Sequence, residues 1–390
     1  MKVLYLVSGN HLYGDNRSFL DTVLELVDKA SIYVIIGVRR DQLVSSTSSP
    51  LIDMLNKYNI PFSLVSSILN VPRLKIGEHI SFRYFKGWIG LLKNSISSIS
   101  KYRFIIKSFK PDIIHSNNSM FYGGKLLSAL YKIRHVWHLR EYIDKDHNYK
   151  HWPSRLFLTG QIHQQYAIAN SQGVYDYFKL TMGMGRLIYN PIGFDVTFQQ
   201  EKDNYILFVG RLLSTKGVLE LINIFEKLYK DFPDLRLLIA GGIDENDLYV
   251  KKLFALRDEL PCAASIIFLG YRSDVSDLMK NAKCLVVPSY FEAFGRITAE
   301  ALFKGCLVVG RNTGGTKEIL SLCNSGYLYE SDKECLEQIK TVILMKPDDY
   351  KKKIESAQKV GVNYFSQKVV ASKVFDFYID ILSKDYKSIN

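Results

Sequence analysis

Short apolar runs alternate with segments of helical periodicity along the whole chain. Residues 3–7 and 32–38 are apolar runs of strand length, and residues 18–28 between them carry apolar side chains at helical spacing. The unbroken apolar character of residues 32–38 is typical of a strand buried on both faces of a parallel sheet. Shorter runs continue the pattern at 112–115, 135–138 and 166–169. The alternation predicts an α/β fold with a doubly wound sheet.

The same alternation starts again after a turn cluster, Asn190-Pro191-Ile192-Gly193, and a polar stretch over 199–204. Beyond it the pattern predicts helices at 218–229 and 367–382 and strands at 205–209, 236–240, 266–269, 284–287 and 307–309. Residues 41–50 and 66–88 fit the alternation poorly and are predicted to be loops or short helices. We predict four segments: an N-terminal Rossmann-like domain at 1–188, a linker at 189–203, a C-terminal Rossmann-like domain at 204–365, and a C-terminal helix at 366–390 that can pack back on the N-terminal domain.

Composition supports two folded domains and excludes several other classes. The 390 residues are 47% hydrophobic and 23% charged, which suffices for two cores and excludes a mainly disordered chain. No apolar run approaches the roughly 18–20 residues that span a bilayer. The N-terminal run has the features of a buried first strand rather than of a signal peptide. These observations predict a cytoplasmic location.

The positive charge is concentrated in one stretch of the N-terminal half. The chain carries a net charge of +12, and residues 71–110 hold nine basic side chains against Glu78 alone, a net charge of +8. Phe82, Tyr84, Phe85 and Trp88 lie among those cations. This mixture predicts docking on an anionic membrane surface, so that the chain would be peripheral on its cytoplasmic face. A solvated basic face remains the alternative, and no recognised nucleic-acid-binding module is present, so we expect no nucleic acid partner.

The cysteine pattern argues against a metal centre or a disulfide framework. None of the five cysteines forms a C-x-x-C pair, and H-E-x-x-H and Walker A motifs are absent. We expect reduced, mostly buried thiols, no metal site and no cofactor. The five are Cys262, Cys284, Cys306, Cys323 and Cys335.

Two clusters of polar residues follow predicted strands of the C-terminal domain, where a doubly wound fold binds its ligands. In the loop over 210–217, Arg211 and Lys216 can converge on an anion beside a helix N-terminus. The alternative is a solvated loop with a helix-capping residue. In the second cluster, Glu292 and Glu300 are separated by seven residues, and Gly295 lets a ligand approach the backbone. The two carboxylates could bind sugar and ribose hydroxyls, or could be surface glutamates of an amphipathic helix.

Two further clusters leave their role open. The Gly314-Gly315 pair that enters a predicted helix is either a tight turn or another approach to a ligand. In the N-terminal half, Gly14 follows the first strand, and His138 and Arg140 follow a later one. His138 could be an acid, a hydrogen-bond donor or a satisfied histidine at a strand end.

The order of these clusters resembles the retaining nucleotide-sugar glycosyltransferases of GT-B fold, glycosyltransferase family 4 (glycosyl transferases group 1). The resemblance covers nearly the whole chain and is strongest over residues 190–320. It implies two Rossmann-like doubly wound domains facing a cleft. The motifs that carry it are the Gly loop after the first strand, His138, Ala169-Asn170-Ser171, Asn190-Pro191-Ile192-Gly193-Phe194-Asp195, Gly210-Arg211, Lys216-Gly217, and Glu292-Ala293-Phe294-Gly295 with Glu300.

The resemblance implies a donor site in the C-terminal domain. Arg211 and Lys216 would hold the donor diphosphate, and Glu300 would bind the nucleotide ribose. Glu292 would bind hydroxyls of the transferred sugar. Backbone groups would complete the donor contacts, at Ala293, Phe294 and Gly295 for the sugar and at Tyr271 and Arg272 for the base.

The N-terminal domain would supply the acceptor side. By the resemblance, Gly14 faces the diphosphate, His138 stands beside the transferred sugar, and Tyr13 and Arg140 lie toward the acceptor. The implied catalytic groups are therefore His138, Arg211, Lys216 and Glu292. Three positions depart from the family pattern: Tyr13 replaces a Gly, Leu139 follows the His where Asp is common, and Arg296 occupies a usually apolar or small position.

The implied reaction moves a hexose from a UDP- or GDP-sugar to a glycan or lipid-linked acceptor, with retention of configuration, in surface polysaccharide biosynthesis. No carboxylate outside the donor-binding pair is an obvious nucleophile, which favours same-face attack assisted by the leaving phosphate and independent of metal. The alternative is a catalytically inactive GT-B relative that binds a nucleotide sugar or acts as a membrane scaffold.

Overall fold

A computed structural model describes most of the chain, and its residues divide into two compact units. The first unit contains Met1–Pro191 and the C-terminal segment from Gln367, and the second contains Ile192–Ser366. The chain therefore leaves the first unit inside the segment predicted as a linker and returns to it at the last helix. The described residues are 1–12, 14–38, 49–66, 74–79, 89, 98–119, 122–151, 154–193 and 195–384, without the side chain of residue 147.

The first unit is built on a parallel sheet of seven strands in the order β3-β2-β1-β4-β5-β6-β7. The strands are β1 (Lys2–Ser8), β2 (Ser31–Val38), β3 (Phe62–Ser66), β4 (Ile113–Ser116), β5 (Arg134–Leu139), β6 (Tyr166–Ala169) and β7 (Gly185–Leu187). Residues 98–109 are helical. The other helices of the unit are Asp15–Val23, Pro50–Lys57, Gly123–Tyr131, Asp144–His147, Arg155–Ile162, Gln172–Tyr177 and Gln367–Ser383.

The second unit is built on a parallel sheet of six strands in the order β10-β9-β8-β11-β12-β13. The strands are β8 (Tyr205–Val209), β9 (Arg236–Ala240), β10 (Ile266–Gly270), β11 (Cys284–Val287), β12 (Val308–Arg311) and β13 (Tyr327–Tyr329). Single 3₁₀ turns cover Ser214–Lys216 and Ala263–Ser265. The helices are Val218–Tyr229, Leu248–Glu259, Val275–Asn281, Arg296–Phe303, Gly314–Leu322, Asp332–Ile343 and Pro347–Phe365.

The structure confirms the predicted fold class, with two doubly wound α/β units. Sequence analysis missed β3, β7 and β13, all of which are edge strands. β7 and β13 have only three residues, and β3 is only partly buried. An edge strand that is short or half exposed lacks the continuous apolar run by which the central strands are recognised.

The C-terminal helix belongs to the core of the first unit. Its buried face, which includes Val374 and Phe377, packs in one apolar cluster with residues of β1 and of the helix Asp15–Val23. Burial of this face ties the last segment of the chain to the N-terminal sheet, because apolar area removed from water is the main stabilising term in such packing.

Half of the basic stretch over 71–110 lies outside the described residues. Arg73, Arg83, Lys86 and Lys93, together with the four aromatic residues that lie among the cations, fall outside the described residues. The same holds for most of the segments predicted as loops or short helices at 41–50 and 66–88. Among the described helices, none has both the length and the apolar character that a membrane span requires.

Candidate functional site

Strand order in the second sheet reverses between β8 and β11. The chain proceeds from β8 to β9 and β10 on one side, whereas β11 continues to β12 and β13 on the other. In an open parallel sheet this reversal leaves a crevice at the carboxyl ends of the two central strands. The loops that follow β8 and β11 carry the two polar clusters singled out in the sequence, at 210–217 and 288–295.

An ion pair joins the two loops at this switch point. Lys216 Nζ lies 2.6 Å from Glu292 Oε1, with 14% and 20% of the two side chains exposed. Lys216 ends the 3₁₀ turn Ser214–Lys216, and Gly217 follows with a left-handed backbone that leads into the helix Val218–Tyr229. The geometry therefore brings together two of the predicted catalytic residues, 76 positions apart in the chain.

Glycines allow the loops to interlock at backbone distance. A Cβ at Gly217 would lie 2.5 Å from the carbonyl oxygen of Pro288, and one at Gly314 would lie 2.4 Å from that of Glu292. At Gly315 the clash would be with Phe294 O at 2.0 Å, and the Gly315 amide donates to Glu292 O at 2.8 Å. The Gly314-Gly315 pair therefore supports the backbone on either side of Glu292. The sequence left open a tight turn or an approach to a ligand, and the structure shows a close approach to the backbone of the Glu292 loop.

The second carboxylate of the spacing, Glu300, has a different partner. Arg296 Nε donates to Glu300 Oε1 at 2.6 Å across one turn of the helix Arg296–Phe303, and both side chains are 13% exposed. Arg296 is one of the three departures from the family pattern. Each of the two glutamates therefore lies against its own cation, and neither is a solvated residue of a helix surface.

The remaining predicted donor contacts are spread along the same edge of the sheet. The Arg211 side chain is exposed at the start of the loop after β8, and no ion pair to it occurs among the described residues. Ala293 and Phe294 are buried, and the Phe294 ring packs on Phe365 at 5.7 Å between centroids, so that side chain belongs to the core.

Tyr271 and Arg272 follow β10, the edge strand. The Tyr271 side chain is 74% exposed, and Arg272 Nη2 pairs with Asp274 Oδ2 at 2.5 Å within its own turn. The structure leaves β9 between this turn and the central loop of Lys216. The assignment of both residues to the base stays a prediction.

Sequence analysis missed an aromatic platform beside the Glu292 loop. The Arg311 guanidinium stacks on the Tyr290 ring at 4.5 Å, and its Nε donates to Pro288 O. Tyr290 Oη donates to Glu220 Oε1 at 2.6 Å. Arg311 ends β12 and Tyr290 follows β11, so only the pairing of these two strands could have brought them together.

In the first unit, the loop after β1 is closed by Asn16 rather than by a second glycine. Asn16 Nδ2 donates to the carbonyl oxygens of Ser8, Gly9 and His11, at 2.9–3.3 Å. Gly14 takes a left-handed φ of 56° immediately before the helix Asp15–Val23, a conformation that favours glycine. Tyr13 lies outside the described residues.

His138 and Arg140 meet inside the first unit in a buried polar network. Arg140 Nη2 donates to His138 Nδ1 at 3.2 Å and Arg140 Nε donates to Asn117 Oδ1 at 3.1 Å, while Nη1 donates to Asn190 Oδ1. Only 2% of His138 is exposed, because the side chain points into the sheet layer rather than out of the strand end. The structure therefore favours a partnered histidine over a freely accessible acid, while its catalytic role stays a prediction.

Electrostatics in this network favour neutral imidazoles. Burial lowers the pKa of His115 and of His138 well below the usual value, and the Arg140 cation lowers both further. Nearby, burial raises the pKa of Asp15, and the carboxylate of Glu141 raises it further. A histidine that loses its hydration shell beside a fixed cation cannot hold a second positive charge at neutral pH.

Comparison with protein families matches residues 193–360 to the family described as glycosyl transferases group 1. The second unit is a glycosyl transferases group 1 domain. Its carboxyl-edge loops, with Lys216 and Glu292, lie inside the matched range. The predicted resemblance to group 1 glycosyltransferases is confirmed by this match and by the structural neighbours.

Two of the relatives that this chain resembles come from Methanocaldococcus jannaschii. The uncharacterized glycosyltransferase MJ1607 is 35% identical over 123 residues, which are 31% of this chain and 30% of that protein. The uncharacterized glycosyltransferase MJ1178 is 29% identical over 282 residues, 68% of this chain and 71% of that protein. The chain therefore spans less than a third of the length of the first relative.

A solved structure shows the same two-unit fold. The crystal structure of Anabaena Alr3699/HepE in complex with UDP and glucose matches with a TM-score of 0.76 and 20% identity, covering 97% of this chain and 99% of that one. With the group 1 domain and the two parallel sheets, this likeness confirms the predicted GT-B fold class.

Proposed function

We propose that this chain is a retaining glycosyltransferase that moves a hexose from a nucleotide-sugar donor to a glycan or lipid-linked acceptor. The observation that carries the proposal is the Lys216–Glu292 ion pair at the switch point of a group 1 domain. HepE, a structural neighbour, was solved with UDP-glucose. That complex supports a UDP-sugar as the first donor to test, with a GDP-sugar as the second.

Charge complementarity gives Lys216 and Glu292 separate tasks toward such a donor. A diphosphate carries about two negative charges, and Lys216 with the exposed Arg211 would supply two cations for it. When Lys216 turns toward the diphosphate, Glu292 is released to accept hydrogen bonds from sugar hydroxyls. The ion pair is thus the resting form of a site whose two halves bind opposite parts of one ligand.

The chemical step follows from that placement. The bond from the anomeric carbon to the diphosphate oxygen breaks, and a bond from the same carbon to the acceptor oxygen forms on the same face. The leaving phosphate oxygen takes the proton of the acceptor hydroxyl. Fixed cations stabilise the charge that develops on the diphosphate, and this kind of electrostatic stabilisation is commonly the largest catalytic term. We expect the reaction to proceed without a metal or another cofactor, and therefore to survive EDTA.

Direct tests begin with the donor. We expect one of a panel of UDP-, GDP- and ADP-sugars to raise the melting temperature of the chain and to be hydrolysed or transferred, with the anomer of the product identified by proton NMR. Stabilisation without turnover would favour the inactive GT-B relative that binds nucleotide sugars. If no donor is bound, the proposal fails.

The two glutamates sharpen that test, because they contact different parts of the donor in the proposal. Glu300→Ala should weaken donor binding, since Glu300 is assigned to the ribose, whereas Glu292→Ala should mainly lower turnover. Binding measured by calorimetry and turnover measured under saturating donor separate the two effects. Normal binding and turnover in both variants would leave the carboxylates with a purely structural role.

We propose that this activity takes place in the cytoplasm and serves the biosynthesis of a surface polysaccharide. A lipid-linked acceptor would reach the site at the cytoplasmic face of a membrane, where the basic stretch over 71–110 would attract anionic headgroups. The helical residues 98–109 carry part of this charge on an exposed face that includes Lys101, Arg103 and Lys107.

A further inference from the structure

A buried chain of polar groups runs through the apolar layer between the first sheet and the C-terminal helix. Tyr5 on β1, His115 on β4 and His138 on β5 lie in the layer that also holds Val3, Val7 and residues of that helix. Tyr5 Oη lies 2.7 Å from Tyr378 Oη, Tyr378 Oη 2.6 Å from His115 Nδ1, and His115 Nε2 3.1 Å from His138 Nδ1. All four side chains have 2% or less of their surface exposed.

Arg140 determines which way the hydrogen bonds of this chain run. A guanidinium can only donate, so His138 Nδ1, which lies 3.2 Å from Arg140 Nη2, must be an unprotonated acceptor. His115 Nε2 then has to donate to the same nitrogen, and a neutral His115 must accept at Nδ1 from the Tyr378 hydroxyl. Tyr378 Oη in turn accepts from Tyr5. The opposite direction would set an N–H of His138 against an N–H of Arg140.

We propose that Arg140 fixes the direction of these hydrogen bonds. In this proposal Tyr378 and His115 are positioning residues, which hold the His138–Arg140 pair at the carboxyl edge of the sheet. In the resulting arrangement His138 is neutral and carries its proton on Nε2. That nitrogen is buried and finds no partner among the described residues. His138 is consequently unable to act as a general base, because its one lone pair is already occupied on Nδ1.

The consequence for activity rests on the proposed function and on the family resemblance, which implies that His138 stands beside the transferred sugar and that Arg140 lies toward the acceptor. Loss of the Tyr378 hydroxyl leaves His115 Nδ1 without a donor, and a buried unsatisfied group of this kind favours rearrangement. Small displacements of groups that orient substrates lower turnover strongly. The C-terminal helix would therefore contribute to catalysis without contacting any substrate.

The first experiment is independent of any transferase activity. Histidine labelled with ¹⁵N, assigned with His115→Gln and His138→Gln, should show both rings neutral at pH 7 with the proton on Nε2. In Arg140→Leu the donor that sets the direction is gone, and the tautomers of both rings should become mixed. A proton on Nδ1 of either ring, an imidazolium, or unchanged tautomers in Arg140→Leu would overturn the proposal.

The second experiment tests the positioning role by turnover. Tyr378→Phe and His115→Leu should lower kcat about tenfold with little change in the donor KM. His115→Gln, whose side-chain amide can still donate toward His138, should recover to within about threefold of the wild type. Full turnover in both Tyr378→Phe and His115→Leu would overturn the positioning role.

A matched tyrosine separates positioning from loss of stability. Tyr166 is buried, contacts Phe377 of the same C-terminal helix, and its hydroxyl has no hydrogen-bond partner among the described residues. Tyr166→Phe should therefore keep wild-type kcat, and melting curves of all variants identify any that unfold. If the wild type transfers no sugar from any donor, the proposed function fails. The NMR measurement of the histidine tautomers still tests the proposed direction of the hydrogen bonds.

Discussion

The first sheet reverses its strand order between β1 and β4, and the second does so between β8 and β11. Near the first reversal the polar groups lie on the strands themselves, as His115 on β4 and His138 on β5, and they are buried in the sheet layer. At the second reversal they lie in the loops, where Lys216 and Glu292 keep part of their surface in water. Two units of similar topology thus bury their polar side chains to different extents.

That difference in depth decides the charge of each site. Imidazoles inside the layer are neutral, since burial opposes their protonation and Arg140 adds to the effect. In the second unit, Lys216 pairs with Glu292 between the loops and Arg296 pairs with Glu300 in the following helix, and all four side chains keep some contact with water. The second unit therefore presents charged side chains in part to water, whereas the first buries uncharged imidazoles beside the Arg140 cation.

The largest effect is expected from the ionic site. Lys216→Ala should lower turnover by about 10²-fold or more, because it removes a cation from the leaving diphosphate, and Arg211→Ala should act in the same way. Lys227→Ala, in the last turn of the helix that follows Lys216, serves as the matched control. Turnover like that of the wild type in both Lys216→Ala and Arg211→Ala would remove the phosphate assignment.

The backbone contacts that hold the Glu292 loop can be disrupted without replacing a charged residue. Gly315→Ala places a Cβ about 2.0 Å from Phe294 O, so the Glu292 loop has to move. We expect a loss of roughly 1–3 kcal/mol in unfolding free energy, or more, with weakened donor binding. Gly242→Ala is the control, since a Cβ there meets nothing within 4 Å. A Gly315→Ala protein as stable and as active as Gly242→Ala would contradict the interlocked loops.

Acid should act on the buried site of the first unit. His115 and His138 have lowered pKa values in the folded state, so the unfolded chain binds protons first as the pH falls below about 6.5. Their contribution to stability is therefore fully present above that pH and declines below it, by up to about 1.4 kcal/mol per pH unit for each histidine. Urea unfolding of His115→Gln between pH 7 and pH 5 should show a shallower decline than the wild type. An identical pH dependence would show that this imidazole is not held neutral.

The sequence predicts the second unit better than the first, for a physical reason. Central strands such as β8 and β11 are continuous apolar runs, and the loops that follow them are local segments whose chemistry can be read in order. Arg211, Lys216 and Glu292 were predicted in this way, and the structure brings the last two together as an ion pair. The Arg296–Glu300 ion pair could also have been predicted, because opposite charges four residues apart on a helix commonly pair. Sequence analysis noted Arg296 only as a departure from the family pattern.

Long-range partners could not be found from local sequence patterns. Tyr378 contacts His115 across 263 positions, and Asn190 contacts Arg140 across 50. A tyrosine on an apolar helix face and a histidine on a buried strand look like ordinary core residues until the topology brings them together. The role of the Gly314-Gly315 pair was likewise open, because the carbonyl oxygens that exclude a Cβ belong to another loop.

The smallest effect is expected at the surface of the first unit. Phe104 is 73% exposed within the helical residues 98–109, and Arg103 and Lys107 are exposed close to it. Each cation near an anionic membrane is worth about 1 kcal/mol, so Arg103→Gln should lower binding to anionic vesicles roughly fivefold. The attraction should weaken with added salt, whereas the apolar contact of Phe104 should not.

Lys251→Gln makes the same charge change on an exposed helix of the second unit and should bind like the wild type. Co-sedimentation with phosphatidylserine vesicles at low and high salt measures both variants, with donor hydrolysis in solution unchanged in each. Equal binding by Arg103→Gln and Lys251→Gln would mean that net charge alone attracts the chain, and that the helix over 98–109 is a solvated face like any other.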